Sequence, residues 1–272
     1  MSPRTLGAHT FGLAWDMDAA AAIRSLAERG FRAFELIAMA PHLDPRRISP
    51  DAVQHLRETV ADVGSEILAM DLPSNDINIA STSPDLVDFT VETYLRTIRL
   101  AAELGSRWVV VLPGRRHGLL PPPDRRLHDI LRGSLERLVR EAERCKLRLL
   151  LENHPQTLLP DAPSIAGFLT AEKYGCVDCL YDVANGLAVG EDFATALPVL
   201  QPFLAMVHLS DSPKGQWKHD PIGSGDIDFR TVRETLEQLD YQGTIVTEII
   251  APGGIEQLVA AREALKDRGW NF

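Results

Sequence analysis

The sequence predicts a closed (β/α)8 barrel that forms a single domain over residues 1–272. The chain has 272 residues, of which 45% are hydrophobic, and this is enough to bury the core of one such barrel. Eight apolar, strand-like runs alternate with eight segments of helical periodicity. Strict alternation of strand and helix implies parallel strands joined by crossovers, and eight units in this length favour a closed barrel over an open, doubly wound sheet.

Each predicted strand is a short apolar run bounded by turn residues, a pattern typical of buried parallel strands. In chain order the runs are Leu6–Thr10, Ala33–Ile37, Ile67–Asp71, Trp108–Leu112, Leu147–Glu152, Val177–Asp182, Phe203–His208 and Thr244–Glu248. No Gly-x-Gly-x-x-Gly motif follows the first run, where a dinucleotide-binding sheet would carry it, and this disfavours the doubly wound alternative.

Each predicted helix is an amphipathic segment between two of these strands or after the last one. The segments are Asp18–Arg29, Asp51–Val63, Pro84–Leu104, Arg125–Arg144, Pro163–Tyr174, Phe193–Leu200, Phe229–Leu239 and Ile255–Arg268. Ser83 precedes the third segment and Asp228 precedes the seventh, as expected of capping residues at helix N-termini.

The composition favours a small-molecule partner. A formal net charge of −10 argues against a broad surface for nucleic acid or anionic membrane. The three cysteines make no even disulfide framework, and the N-terminus lacks the basic and apolar regions of a signal peptide. No apolar stretch approaches the roughly 20 residues that cross a bilayer. We therefore expect a cytoplasmic protein that binds neither nucleic acid nor membrane.

Four of the predicted strands end on a residue that can bind a divalent metal: Glu152, Asp182, His208 and Glu248. Active sites of barrels of this kind lie at the carboxyl ends of the strands, so these side chains can converge on one ion. Three carboxylates and one imidazole suit Mn²⁺, Mg²⁺ or Co²⁺ better than a closed zinc site of thiolates, although zinc with an open position also fits. Alternatively, each residue alone could cap its strand or form a loop ion pair.

The motifs around these strand ends resemble the xylose isomerase-like TIM-barrel superfamily. They are Leu151–Pro155, Tyr181–Gly186, Val207–Asp211, Pro221–Phe229 and Thr247–Ile249. The superfamily includes sugar isomerases and epimerases, 3-dehydroshikimate dehydratase and endonuclease IV. The resemblance implies that the four strand-end residues bind one metal ion, with Mn²⁺ as the first expectation. It also implies that Glu152 and Glu248 form a catalytic acid/base pair.

Such a site can support three related reactions. A metal ion that binds a substrate carbonyl and its neighbouring hydroxyl acidifies the adjacent C–H and stabilises an enediolate. Return of a proton to the opposite face gives epimerisation, return to the neighbouring carbon gives aldose–ketose isomerisation, and departure of a β-hydroxyl gives dehydration. We therefore expect an isomerase or epimerase of a small keto sugar or hydroxy-keto acid, and a possible homo-oligomer, as barrels of this group often associate.

Two other functions are kept as alternatives. The string from Glu152 to Leu158 also resembles 3-dehydroshikimate dehydratases, which makes a lyase the first alternative. Asn185 stands where epimerases, the dehydratases and endonuclease IV tend to have histidine, and this departure weakens the transfer of any one substrate. The second alternative is a non-catalytic sugar-binding barrel, which the presence of both Glu152 and Glu248 disfavours.

Residues near the other strand ends are predicted to contact substrate. His154 and Asn185 follow two of the proposed ligands closely, and Glu35 lies in the second strand, where it could bind substrate or support a ligand. The remaining candidates are Arg115, which suits an anionic group, His219 on the loop after the seventh strand, and Trp15 as part of an apolar wall.

Four further polar residues are assigned no direct role. His9, His42 and His117 are scattered, and we interpret them as surface or loop histidines. Asp71 ends the third strand and could bind a substrate hydroxyl, support a ligand or pair with an arginine. A trinuclear zinc nuclease would need several further histidines at the early strand ends, so this class is disfavoured.

Overall fold

The computed structural model, which describes residues 5–73 and 76–272, is a closed barrel of eight parallel strands. Each strand pairs with its neighbours in chain order, and β8 closes the ring against β1. The strands are β1 Leu6–His9, β2 Ala33–Ile37, β3 Glu66–Asp71, β4 Trp108–Val111, β5 Arg148–Glu152, β6 Val177–Asp182, β7 Leu204–Leu209 and β8 Thr244–Thr247. The predicted (β/α)8 barrel is confirmed.

The helices connect successive strands and surround the barrel. They are α1 Ala19–Glu28, α2 Pro50–Asp62, α3 Pro84–Glu103, α4 Asp124–Cys145, α5 Ala162–Glu172, α6 Val183–Ala188, α7 Phe193–Leu200, α8 Phe229–Gln238 and α9 Gly254–Lys266. A 3₁₀ turn at Phe11–Leu13 follows β1. In the described part of the chain, no helix combines the length and the apolar character needed to cross a membrane.

Capping explains where several helices begin. Side chains that accept a backbone N–H of the first turn precede six helices: Asp18, Ser49, Asp161, Asp182, Asp192 and Asp228. The predicted cap at Asp228 is therefore confirmed, whereas the Ser83 side chain makes no capping hydrogen bond. Helix α3 instead begins with Pro84, whose fixed φ suits the first helical position.

One layer of apolar side chains fills the barrel interior. It consists of Ala33, Leu68, Ala69, Val110, Leu150, Leu180, Met206 and Val246. Alternate residues of a strand face the same side of the sheet, so the residue two positions after a member of this layer also points inward. For β5 to β8 that residue is the proposed metal ligand, which places all four ligands on the inner face at the barrel mouth.

β1 has a glycine where the other strands have an apolar residue of this layer. A Cβ atom on Gly7 would lie 2.8 Å from the Leu68 side chain and 2.9 Å from Val246, so the layer has no room for it. The next inward residue after Gly7 is His9, which is fully buried. The inner face of β1 is therefore polar at the mouth although it contributes no apolar side chain to the layer.

Candidate metal centre and substrate pocket

The four predicted ligands come together at the carboxyl ends of β5 to β8. Glu152 and Asp182 are the last residues of their strands, His208 is the penultimate residue of β7, and Glu248 follows β8 directly. One donor atom from each lies within 4.8 Å of the others, and all four residues are buried. The cluster could therefore hold a metal ion.

A carboxylate behind His208 orients its ring for metal binding. The Nε2 atom lies 2.8 Å from Glu35 Oε2, and Glu35 is fully buried. A carboxylate accepts hydrogen bonds, so in the neutral ring Nε2 carries the proton and Nδ1 keeps its lone pair. Nδ1 faces Glu248 Oε2 at 3.3 Å and Asp182 Oδ2 at 4.0 Å. Metal-binding histidines are commonly held in this way by a second carboxylate.

Asp182 uses one oxygen for the fold and leaves the other available. Its Oδ1 accepts the backbone N–H of Asn185 at 2.6 Å, which caps α6. Its Oδ2 is buried and has no hydrogen-bond partner among the residues that the structure describes. A buried carboxylate oxygen without a donor is unfavourable, so this atom fits a bound cation.

Burial and neighbouring charges shift the pKa values of the three carboxylates in the cluster. Burial, followed by the charge of Glu248, raises the pKa of Glu152 well above its usual range, and burial likewise raises the pKa of Asp182. Burial alone would raise the pKa of Glu248, but His219 and His9 hold it well below its usual range. A divalent cation would stabilise the ionised form of all three carboxylates, so the donor set fits such an ion.

A second group of buried donors shares Glu248 with the first and includes His9 and Asp71. His9 Nε2 lies 3.4 Å from Asp71 Oδ2 and 3.9 Å from Glu248 Oε1. Its Nδ1 accepts the backbone N–H of Phe11 at 3.0 Å, so in the neutral ring the proton is on Nε2. The ring therefore presents a donor to the carboxylates, and this group suits a shared proton better than a second metal ion.

The interpretation as surface or loop histidines is wrong for His9 and holds for His42 only as to its loop position. His9 is fully buried at the end of β1, where the inward face of the strand carries it into the cluster. His42 lies in a loop but is also buried, with Nδ1 2.7 Å from the Met17 carbonyl oxygen. His117 is exposed in the loop after β4, as expected.

A pocket of about 430 Å³ opens beside the cluster. Glu152 and Glu248 line this pocket, whereas Asp182 and His208 are not among its lining residues. The other lining residues are Phe11, Asp71, Pro73, Leu112, His154, Asn185, Trp217, Lys218, His219, Asp220 and Ile250. Pro73, Leu112, Asp220 and Ile250 were not predicted as pocket residues, because nothing in the sequence marks these positions as lining a pocket.

Three predicted substrate-binding residues lie in this pocket. Burial, together with the charges of His219 and Arg115, lowers the pKa of His154 to about 4, so His154 is neutral at physiological pH. His219 Nδ1 lies 3.2 Å from Glu248 Oε2. Burial alone would lower the pKa of His219. The carboxylates of Glu248 and Asp182 outweigh this effect and raise the pKa to about 9. Asn185 is buried and contacts Glu152.

The other three predicted substrate-binding residues do not line this pocket. Arg115 donates a hydrogen bond to the Gln156 side chain and forms a β-bridge with Thr157. Trp15 is 71% exposed. Glu35 lies beneath the mouth, against His208, where it supports a proposed ligand.

Two curated proteins illustrate what this chain is similar to in sequence. An uncharacterized protein of Methanocaldococcus jannaschii is 27% identical over 253 residues, which cover 90% of this chain and 83% of that protein. An L-ribulose-5-phosphate 3-epimerase of Salmonella typhi is 26% identical over 140 residues, about half of each chain (50% and 49%).

Solved structures show the same architecture. A D-tagatose 3-epimerase-like protein superposes with a TM-score of 0.86 and 26% identity over 97% of this chain and 96% of that one. An L-ribulose 3-epimerase has the same fold, with a TM-score of 0.82 and 19% identity over 97% and 94% of the two chains. A model of the family described as xylose isomerase-like TIM barrel matches residues 23–268, and the chain therefore belongs to that family.

Proposed function

We propose that this protein is a divalent-metal-dependent epimerase or isomerase of a small keto sugar or hydroxy-keto acid. One observation carries the proposal: of the four clustered ligands, the two glutamates alone also line the described pocket. Glu152 and Glu248 can therefore touch a bound substrate, while Asp182 and His208 would hold the ion from the barrel interior. The epimerase relatives support the same class of reaction.

The chemistry assigned to the chain is the removal of a proton from carbon by one carboxylate and the delivery of another proton to carbon by a second carboxylate. A divalent ion, Mn²⁺ by our expectation because of the three carboxylates and one imidazole, would polarise the substrate carbonyl when bound. Glu248 accepts the proton of the carbon next to the carbonyl, and the C–H electron pair becomes the double bond of an enediolate. Glu152 then delivers a proton to carbon from the other side. The two glutamates exchange roles in the reverse direction.

The test is deuterium incorporation from D₂O into a panel of substrates in the presence of Mn²⁺, followed by NMR and mass spectrometry. The panel contains L-ribulose, L-ribulose 5-phosphate, D-tagatose, D-allulose, hydroxypyruvate and 3-dehydroshikimate. We expect at least one ketose or keto acid to gain deuterium at the carbon next to its carbonyl, without loss of water. Loss of water from 3-dehydroshikimate would instead support the lyase, and saturable sugar binding without any exchange would support the binding protein.

Variants of the two glutamates separate catalysis from folding. Glu248→Gln and Glu152→Gln should each lower the exchange rate by about 10³-fold or more, because each removes a proton-transfer group and a metal ligand together. Glu66→Gln is the matched control, since Glu66 is exposed at the opposite end of β3 and should leave exchange unchanged. Near-normal exchange by Glu248→Gln would contradict the assignment.

A further inference from the structure

A chain of hydrogen bonds runs from the rim of the pocket to the proposed acid/base Glu152. The indole N–H of Trp217 donates to Asn185 Oδ1 at 2.6 Å. The Asn185 amide nitrogen donates to Glu152 Oε1 at 3.1 Å and to the Asn153 carbonyl oxygen at 2.9 Å. Trp217 is 38% exposed on the loop after β7, whereas Asn185 is 1% exposed. The chain therefore connects a solvent-facing side chain to a buried carboxylate.

The partners allow only one orientation of the Asn185 amide. An indole N–H can only donate, and a backbone carbonyl can only accept. The amide oxygen must therefore face Trp217, and the NH₂ group must face Asn153 and Glu152. If the indole N–H were absent, the NH₂ group would still face its two acceptors, but the amide oxygen would lose its donor and the amide plane would be less restrained. Trp217 thus restrains the amide that donates to Glu152.

The backbone of Asn185 is fixed independently of this chain. Its N–H caps α6 through Asp182 Oδ1 at 2.6 Å, so the residue stays in place even when its amide contacts change. At the rim, the Trp217 ring packs edge to face against His154, with 4.5 Å between ring centroids. Both rings line the pocket, so a bound substrate would contact the same indole that orients Asn185.

We propose that Trp217 is a positioning residue for Glu152 and acts on it through Asn185. The proposal rests on the function proposed above, in which Glu152 transfers a proton to the substrate. Loss of the indole N–H should misorient the carboxylate and slow proton transfer, while the aromatic contact with the substrate remains. For Trp217→Phe we expect kcat to fall about 10-fold and KM to change less than about 3-fold, a pattern that distinguishes positioning from binding.

A double-mutant cycle tests whether Trp217 acts through Asn185. The variants are Trp217→Phe, Asn185→Ala and the double substitution, assayed with the panel substrate that the wild type turns over fastest. We expect Trp217→Phe to lower kcat about 10-fold when Asn185 is present but less than about 2-fold in the Asn185→Ala background. If the two substitutions instead lowered kcat independently, so that their effects multiplied, the proposal would be overturned. Trp108→Phe is the matched control, because the indole N–H of Trp108 has no hydrogen-bond partner among the described residues.

An NMR measurement decides the hydrogen bond without any turnover. The chain has four tryptophans, so ¹⁵N-labelled indoles give four signals, and Trp217→Phe identifies one of them. In Asn185→Ala we expect the Trp217 indole proton signal to move upfield by about 0.5 ppm or more, because its N–H has lost its acceptor. The other three indole signals should stay in place. An unmoved Trp217 signal would overturn the proposal even if the enzyme is active. If no panel compound exchanges deuterium, the proposed function fails while this result still stands.

Discussion

Individual side chains at the barrel mouth owe their positions to the two-residue period of the strands. Glu35 and Asp71 follow the inner-layer residues Ala33 and Ala69 by two positions, as the four proposed ligands follow theirs. The same two-residue period turns the His9 side chain towards the barrel interior. This inward position was not predicted from the sequence, because Gly7 stands where an apolar residue would have marked the inner face of β1.

Glu35→Gln should weaken Mn²⁺ binding about 10- to 100-fold, as is typical when the carboxylate behind a metal-binding histidine is lost. The amide oxygen of the new side chain could still accept the His208 N–H, but the neutral amide would no longer increase the basicity of the ring or contribute negative charge. Titration calorimetry with Mn²⁺ measures the change, and Glu66→Gln serves as the control. Unchanged affinity would show that the Glu35–His208 contact does not support a metal site.

The secondary-structure elements were predicted to different extents. The bounds of β2, β6 and α7 match the predicted ranges, because apolar runs or periodicity with turn residues on both sides define them. Helix α6 was missed: it has only six residues, too few to show a period, and its capping residue, Asp182, had already been assigned as the end of a strand. The convergence of the strand ends was predictable from the fold, whereas the contacts of Asn185 with Trp217 join residues 32 positions apart and depend on loop conformation.

A prediction for the helix layer concerns Glu141, which joins α4 to α3. Arg144 binds its carboxylate at 2.6 Å and 3.0 Å, and Arg99 of α3 binds it at 2.6 Å. Hydrogen bonds from Arg144, opposed by partial burial and supplemented by Arg99, lower the pKa of Glu141 to about 2. The stabilisation that comes from this low pKa is complete above the unfolded-state pKa and is lost as pH falls through the folded-state pKa.

Glu141→Gln should therefore lower the free energy of unfolding at pH 7 by about 1 kcal/mol, which corresponds to about 2–4 °C in Tm. The difference from the wild type should shrink as pH falls below the usual glutamate value of 4.5 towards 2. Thermal unfolding followed by circular dichroism between pH 7 and pH 3 measures it. Glu136→Gln on the same helix is the control, since its nearest ion pair, with Arg140, spans 4.0 Å. A difference that does not depend on pH would contradict the ionic explanation.

Across the whole molecule, the two halves of the barrel contribute differently to the mouth. Strands β5 to β8 supply the four proposed ligands, and β1 to β3 supply His9, Glu35 and Asp71, which surround them. Because the ligands come from four adjacent strands, a bound ion would link elements that lie almost 100 residues apart in the chain, from Glu152 to Glu248. Binding should therefore stabilise the folded barrel as a unit, since an unfolded chain does not preform the site.

Addition of Mn²⁺ at about 100 times its dissociation constant should increase the free energy of unfolding by about 2.7 kcal/mol, and so raise Tm by about 5–10 °C. The shift should be reversed by EDTA, absent in His208→Gln and retained in Glu66→Gln. It should also decrease at acidic pH, because protons compete with the ion for Glu152 and Asp182, whose pKa values are raised by burial in the metal-free protein. A wild-type Tm that is insensitive to Mn²⁺, Mg²⁺, Co²⁺ and Zn²⁺ would contradict the four-ligand site, and the proposed reaction would then lack the charge that its carbonyl chemistry requires.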